Sequence, residues 1–323
     1  AAVASAPVHL FATQPAVRWR YDGRVSSQIK GPGENPPAGA VIYYWLKQKP
    51  KGEITLEILD AKGAVVRRLT STKQEPETPR DDPDPEWRDT SKLALPTHVA
   101  AVNRMVWDLR YEGATRIKRA KIDSGDPGQG PLALPGTYSA RLSVDGRWYE
   151  TKLEVRLDPR VGVSPADLEE QLAFALTLRA DLTRLSGIVR DLRSVREQVE
   201  ARTAVLAGAP SAAGLVKAGQ ALVAKCDALE QKLHNPKAQV SYDILAMKGG
   251  AQLYSRLAPL YTWSHETDAK PTQGMREVYA ELKQELDADA AEWDRIVATD
   301  VKALNDQARE LAPGFVVLPS KQD

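Results

Sequence analysis

The side chains of this sequence with chemistry to offer are its carboxylates, four histidines, one thiol and a few clustered aromatics. Asp81-Asp82-Pro83-Asp84-Pro85-Glu86 sets four carboxylates in six residues, a density that attracts Ca²⁺. The interleaved prolines impose an extended shape, and the glycine of a helix–loop–helix calcium site is missing, so a solvated loop is the simpler reading. Asp123 and Asp126 lie in the glycine-rich stretch 111–131. Two acids about 5–9 Å apart across a cleft are what glycoside hydrolysis requires. Nothing in their spacing separates this pair from ordinary loop acids. Asp108, beside Trp107, reads as the cap of a turn that follows a strand.

His9, His98, His234 and His265 fall in four different segments, without a His-x₃-His or His-Glu-x-x-His spacing. There is no Gly-x-Ser-x-Gly elbow, no Walker loop and no Gly-x-Gly-x-x-Gly turn. No catalytic residue, metal or cofactor is therefore assigned. Cys226, beside Leu222, Val223 and Leu229 in a helical pattern, reads as a buried thiol. Tyr43-Tyr44-Trp45 must point to both faces of one strand, and Trp87 stands in a long polar loop. Trp87, Tyr44, Asp123 and Asp126 are the candidate ligand-binding residues.

The elements that position these residues change character near Ser164. Before it the period is two. Ala40 to Leu46 is β-branched and aromatic, and Ile54 to Leu59 alternates and turns through Asp60-Ala61-Lys62-Gly63 into Ala64 to Leu69. Residues 70–97 read as a loop. Val102 to Leu109, Thr137 to Val144 and Trp148 to Leu157 follow, the last two joined by Asp145-Gly146. After Ser164 the apolar steps lengthen to three and four, from Leu168 through Leu172, Ala175 and Leu178 to Val199. Ser164-Pro165-Ala166-Asp167 opens a helix running to about Arg202. Further helices are predicted over 211–233, 242–261 and 271–311, and a short strand over 314–319. Arg179, Arg184, Arg190, Arg193 and Arg196 mark a solvated helix face. Tyr254, Tyr261 and Trp263 are expected in the helical core or at its rim.

The fold class this predicts is α+β and multidomain: an Ig-like antiparallel β-sandwich followed by an antiparallel helical bundle. The divisions are an extended linker over 1–34, the sandwich over 35–160, the bundle over 164–312 and a tail over 313–323. With 44 Lys+Arg against 43 Asp+Glu, the chain lacks the cationic excess that nucleic acid or anionic lipid selects. No apolar run reaches the ~20 residues a bilayer needs, so no membrane span is expected. Ala1 to Ala6 have the small-residue character of a signal-peptidase site, without the charged and apolar regions that precede one.

The hairpin Ile58 to Leu69, the strand Val106-Trp107-Asp108 and the corner Leu134-Pro135-Gly136-Thr137-Tyr138 resemble an Ig-like domain of the flagellar-hook-cap type. Together with His9-Leu10-Phe11, Pro36 to Ala40, Pro271-Thr272-Gln273 and Glu277 to Leu282, they resemble the region that follows the β-propeller in secreted bacterial BNR-repeat, sortilin-like proteins labelled glycosyl hydrolases. That resemblance implies a secreted or periplasmic protein whose partner is an upstream β-propeller domain or another protein. The Asp-box repeats of the propeller are missing from these residues, so the enzymatic label is not carried onto them. The expectation is a non-catalytic accessory region, a spacer and protein-docking platform. Carbohydrate binding through Trp87 and the loop acids is the alternative, and a hydrolase site where the modules meet is a third reading.

Overall fold

The computed structural model describes residues 2–20, 37–72, 99–206, 210–246 and 248–309. The loop read over 70–97 falls almost wholly outside the described residues, as do the acidic run 81–86, Trp87, His98 and the strand read over 314–319.

Among the described residues a short helix, α1 (Ala2–Ser5), precedes ten strands. They are β1 (Val8–Leu10), β2 (Ala16–Arg18), β3 (Ala40–Leu46), β4 (Thr55–Leu59), β5 (Val65–Thr70), β6 (Val102–Trp107), β7 (Arg110–Glu112), β8 (Gln129–Leu132), β9 (Gly136–Val144) and β10 (Arg147–Leu157). Three form a sheet in the order β1-β3-β6, five form a second in the order β2-β10-β9-β4-β5, and β7 and β8 pair alone. All pairings are antiparallel except β2 with β10.

Alternation decides which residues enter the core. Ala40, Ile42, Tyr44 and Leu46 of β3 point inward, as do Tyr138, Ala140, Leu142 and Val144 of β9. They join Leu56, Ile58, Met105, Trp107, Leu153 and Val155 in one buried cluster shared by the two larger sheets. Burying each such aliphatic side chain contributes about 1.5–3 kcal/mol.

Turn chemistry holds the hairpins. Asp60 accepts hydrogen bonds on its carboxylate from the amides of Lys62 and Ala64, at 2.9 and 2.8 Å. Asp145 and Gly146 have φ of 46° and 78°, both left-handed, as a two-residue hairpin turn requires. At the end of β6 the Trp107 indole N–H donates to the Arg110 carbonyl at 2.9 Å, and the Asp108 carboxylate accepts from the Arg110 amide at 3.1 Å. Asp108 therefore caps the corner after the strand.

Within the described part of the stretch read as an N-terminal linker, Val8–Leu10 and Ala16–Arg18 are strands of the sheets. β1 pairs with β3 and β2 with β10, so each of the larger sheets takes one strand from it. Strands of three residues are too short to show a period, and long-range pairing defines them.

The helical region begins with α2 (Pro165–Leu206), 42 residues and about 63 Å long. Ser164 caps it, accepting from the Asp167 amide at 3.1 Å. There follow α3 (Ala213–Leu233), α4 (Tyr242–Leu245), α5 (Leu253–Ser264), α6 (Gln273–Arg295), a wide π turn over Ile296–Val301, and α7 (Lys302–Arg309). The single helix expected over 242–261 is two. Gly249 and Gly250 adopt φ of 92° and 71°, and the Asn235 amide donates to the carbonyls of Lys248 and Gly250 at 2.6 and 3.1 Å. Among the described residues no helix is long and apolar enough to cross a membrane.

Residues 113–128, between β7 and β8, leave the sheets and lie on the helices. Ala114, Ile117 and Ile122 of this strap belong to the same buried cluster as Leu178, Leu182, Leu185 and Tyr261.

Candidate functional site

Among the described residues, Tyr44 lies apart from Asp123 and Asp126. Tyr44 is 0% exposed, enclosed by the core of the sheets, so neither face of its ring is open to a ligand. Its outward neighbour Tyr43 is 43% exposed. Trp87 lies outside the described residues. Asp123 and Asp126 are on the strap, both partly exposed. The Asp126 carboxylate accepts from Arg116 at 2.5 Å and from the Gly128 amide at 3.0 Å, and its own amide donates to the Thr262 hydroxyl at 2.7 Å. Asp126 thus fastens the strap to α5.

Cys226 is fully buried, and burial pushes its thiol up to about 11. His9 packs edge-on against Phe11. His234 and Glu230 share a buried cluster in which Glu230 also accepts from Arg193 and Arg196. Burial alone would raise the Glu230 carboxyl; the hydrogen bonds from His234 and Arg193 outweigh it and hold the group down at about 2. Tyr254 and Tyr261 are in the core, whereas Trp263 is half-exposed. Among the described residues no group of three or more His, Cys, Asp or Glu could hold a metal ion.

Of the five arginines expected on a solvated face of α2, Arg184 and Arg190 are exposed, whereas Arg179, Arg193 and Arg196 are partly buried. Arg179 and Arg193 donate to the carbonyls of Glu112 and Lys118 at 3.1 and 2.8 Å. Between them Thr183 accepts from the Thr115 amide at 3.2 Å, and Ser186 donates to the Thr115 carbonyl at 2.7 Å. Positions 179, 183, 186 and 193 share one helix face, and that face carries the strap. Their helical spacing was visible in the sequence, but the backbone they bind was not. Arg184 pairs with Asp287 and Arg196 with Asp227 and Glu230, both across helices, while Arg190 pairs with its neighbour Asp191.

A second junction is buried. Arg18 at the end of β2 donates to the Ala133 carbonyl at 3.0 Å and to Asp268 at 2.6 Å; the two side chains are only 2% and 7% exposed. Arg20 joins Asp268 at 2.8 Å and donates to the carbonyls of His265 and Thr267 at 2.9 and 2.8 Å. Asp268 lies between α5 and α6, so this clamp ties the second sheet to the helices.

Beside the strap's junction with α2 opens a cleft of about 630 Å³, lined by Val65, Arg67 and Arg68 of β5, Glu112, and Arg179 and Thr183 of α2. Arg67 donates to the Tyr111 carbonyl at 3.1 Å and stands 3.7 Å from Glu112; its Nε is buried without a hydrogen-bond partner. Arg68 pairs with Glu57, whose carboxyl also accepts from Arg141. Burial pushes Glu57 up, and the bonds from Arg141 and Arg68 bring it below the usual carboxylate range. The lining's guanidiniums are engaged: Arg68 by Glu57, Arg67 by the Tyr111 carbonyl with Glu112 beside it, and Arg179 by the Glu112 carbonyl. The lining does not supply the carboxylate pair of glycoside hydrolysis. A separate groove of about 580 Å³, lined by Phe11, Gln14, Val41, Tyr43 and Val102, has no charged side chain.

No family model, curated protein or solved structure matches the chain.

Proposed function

We propose that this chain is a non-catalytic interaction region of an exported protein of the BNR/sortilin-like kind, in which an Ig-like sandwich and a helical bundle act together as spacer and docking platform. The observation that carries this reading is the double junction. The strap, hydrogen-bonded along α2 with Ala114, Ile117 and Ile122 buried in the helical core, and the clamp of Arg18 and Arg20 on the buried Asp268 join the sheets to the helices. A platform must hold its parts in fixed relation, and these contacts supply that. The Ig-like assignment is supported by two sheets sharing one core and by the Tyr138 hydroxyl donating to the Leu134 carbonyl at 2.8 Å, a tyrosine corner. The export and propeller-partner parts of the reading rest on the sequence resemblance.

The chain is expected to turn over none of a panel of aryl glycosides. Hydrolysis by the purified protein that disappears in a Glu112→Gln or an Asp126→Asn variant would contradict the proposal.

A further inference from the structure

The uncharged groove has walls of two kinds. One is the outer face of β3, where Val41 and Tyr43 line the groove while Ile42 and Tyr44 turn into the core of the sheets. The other is the connection from β1 to β2, which supplies Phe11, Gln14 and Pro15. Val102 of β6 extends the lining and is 57% exposed. The Phe11 amide donates to the Tyr43 carbonyl at 3.0 Å, so these two aromatic residues stand opposite each other across the strand pair. His9, edge-on to the Phe11 ring at 4.7 Å, holds that ring in place.

The polar groups of the groove are few and unspent. Gln14 is exposed, and neither its side-chain amide nor the Tyr43 hydroxyl has a hydrogen-bond partner among the described residues. Small-ligand sites have this make-up, a mainly apolar and aromatic lining with a few polar groups that fix orientation, and 580 Å³ is an ordinary size for one. Charge decides what fits. A charged ligand would give up hydration against a lining with no charged side chain to replace it. A wholly apolar ligand would cover the Gln14 amide and the Tyr43 hydroxyl and leave both unsatisfied. The matching molecule is uncharged, with flat apolar faces and hydroxyls around its rim. A pyranose ring with equatorial substituents has that form.

We infer that the groove binds a neutral, β-linked oligosaccharide, whose sugar rings lie on Phe11 and Tyr43 and whose hydroxyls bond to the Gln14 amide and the Tyr43 hydroxyl. Arg104, opposite Tyr43 in register, is exposed but does not line the groove. Binding of this kind needs no catalytic group. It goes beyond the docking-platform reading, whose tests of turnover and rigidity stand whether or not a sugar binds.

Calorimetric titration of the full chain with cellohexaose, mannohexaose and chitohexaose tests the assignment. At least one is expected to bind saturably, with the same affinity at low and high salt because no ion pair forms. Tyr43→Ala is expected to weaken binding about tenfold, through loss of the ring and its hydroxyl. Tyr43→Phe and Gln14→Ala, each removing one hydrogen bond, are expected to weaken it about threefold. Both side chains lie outside the buried cluster of the sheets, so all three variants are expected to keep the parent's urea midpoint. Failure of all three sugars to bind, or equal binding by Tyr43→Ala, would overturn the inference. So would salt-sensitive preference for a polyuronate, displacement of the sugar by a proline-rich peptide that binds more tightly, or a dimer in solution that Tyr43→Ala dissociates.

Discussion

Replacing Asp268 with alanine is expected to remove about 3–5 kcal/mol of stability, read as a lower midpoint in urea unfolding. The carboxylate is 7% exposed and serves Arg18, itself 2% exposed, together with Arg20. Removing one member of a buried pair leaves the other charge desolvated and uncompensated, which is what makes such truncations costly. Arg18 retains the Ala133 carbonyl, a neutral acceptor that offsets only part of that cost. The double variant Arg18→Met with Asp268→Leu removes both charges and is expected to recover much of the loss, because apolar groups of similar volume replace a buried pair with little penalty. A loss below about 1 kcal/mol for Asp268→Ala would mean that the clamp contributes no more than a surface pair.

The second large effect is on acid stability. His265, at the end of α5 beside the same clamp, is 2% exposed, and neither of its ring nitrogens has a hydrogen-bond partner. It packs edge-on against Tyr261 at 4.7 Å. Burial, then the charges of Arg110 and Arg20, bring its pKa down to about 3. The folded value is below the unfolded one, so the unfolded chain binds the proton first as pH falls. The contribution of neutral His265 is complete above about pH 6.5 and is lost as pH drops from there toward 3, at about 1.4 kcal/mol per pH unit at most. His265→Phe keeps the edge-on ring contact and discards two unsatisfied polar atoms. It is expected to match or exceed the parent at pH 7 and to lose distinctly less stability between pH 6.5 and 4.5. His234 is lowered by burial too, so the variant removes only part of the slope. Glu230, depressed to about 2, acts lower, between its ordinary value near 4.5 and 2, and does not mask the comparison. Parallel pH profiles for parent and variant would contradict this account.

Much of the architecture was legible because it is locally encoded. β3, the β4–β5 and β9–β10 hairpins and α2 each carry a period and a start or turn residue, and Ser164, Asp60 and Gly146 act as those types imply. What was not legible is the part that depends on distant partners. β1 and β2 are three residues each and exist because β3 and β10 offer them an edge. Ala114, Ile117 and Ile122 follow no helical or strand period, yet they fill the helical core because α2 holds the strap by its carbonyls. Arg18 and Asp268 are 250 residues apart, a separation no motif spans.

The cleft shows the same limit. Arg67 and Arg68 read only as part of the hairpin strand Ala64 to Leu69, and Arg179 as one of five helix-surface arginines. Only the fold places them around one cavity. Tyr44 illustrates the converse. Three adjacent aromatics guarantee that both faces of a strand are served, but which face is core depends on register, here Tyr44 opposite Asn103.

The central claim, that sheets and helices form one rigid platform, is tested most directly by a distance distribution between them. Lys62, at the tip of the β4–β5 hairpin, and Glu277, on α6, are both exposed and accept spin labels as Lys62→Cys and Glu277→Cys. Cys226, buried with its thiol pushed up to about 11, stays unlabelled. Pulsed electron–electron resonance is predicted to return one narrow distance peak that broadens when Asp268→Ala is added. A broad or two-peaked distribution in the parent protein would contradict the account.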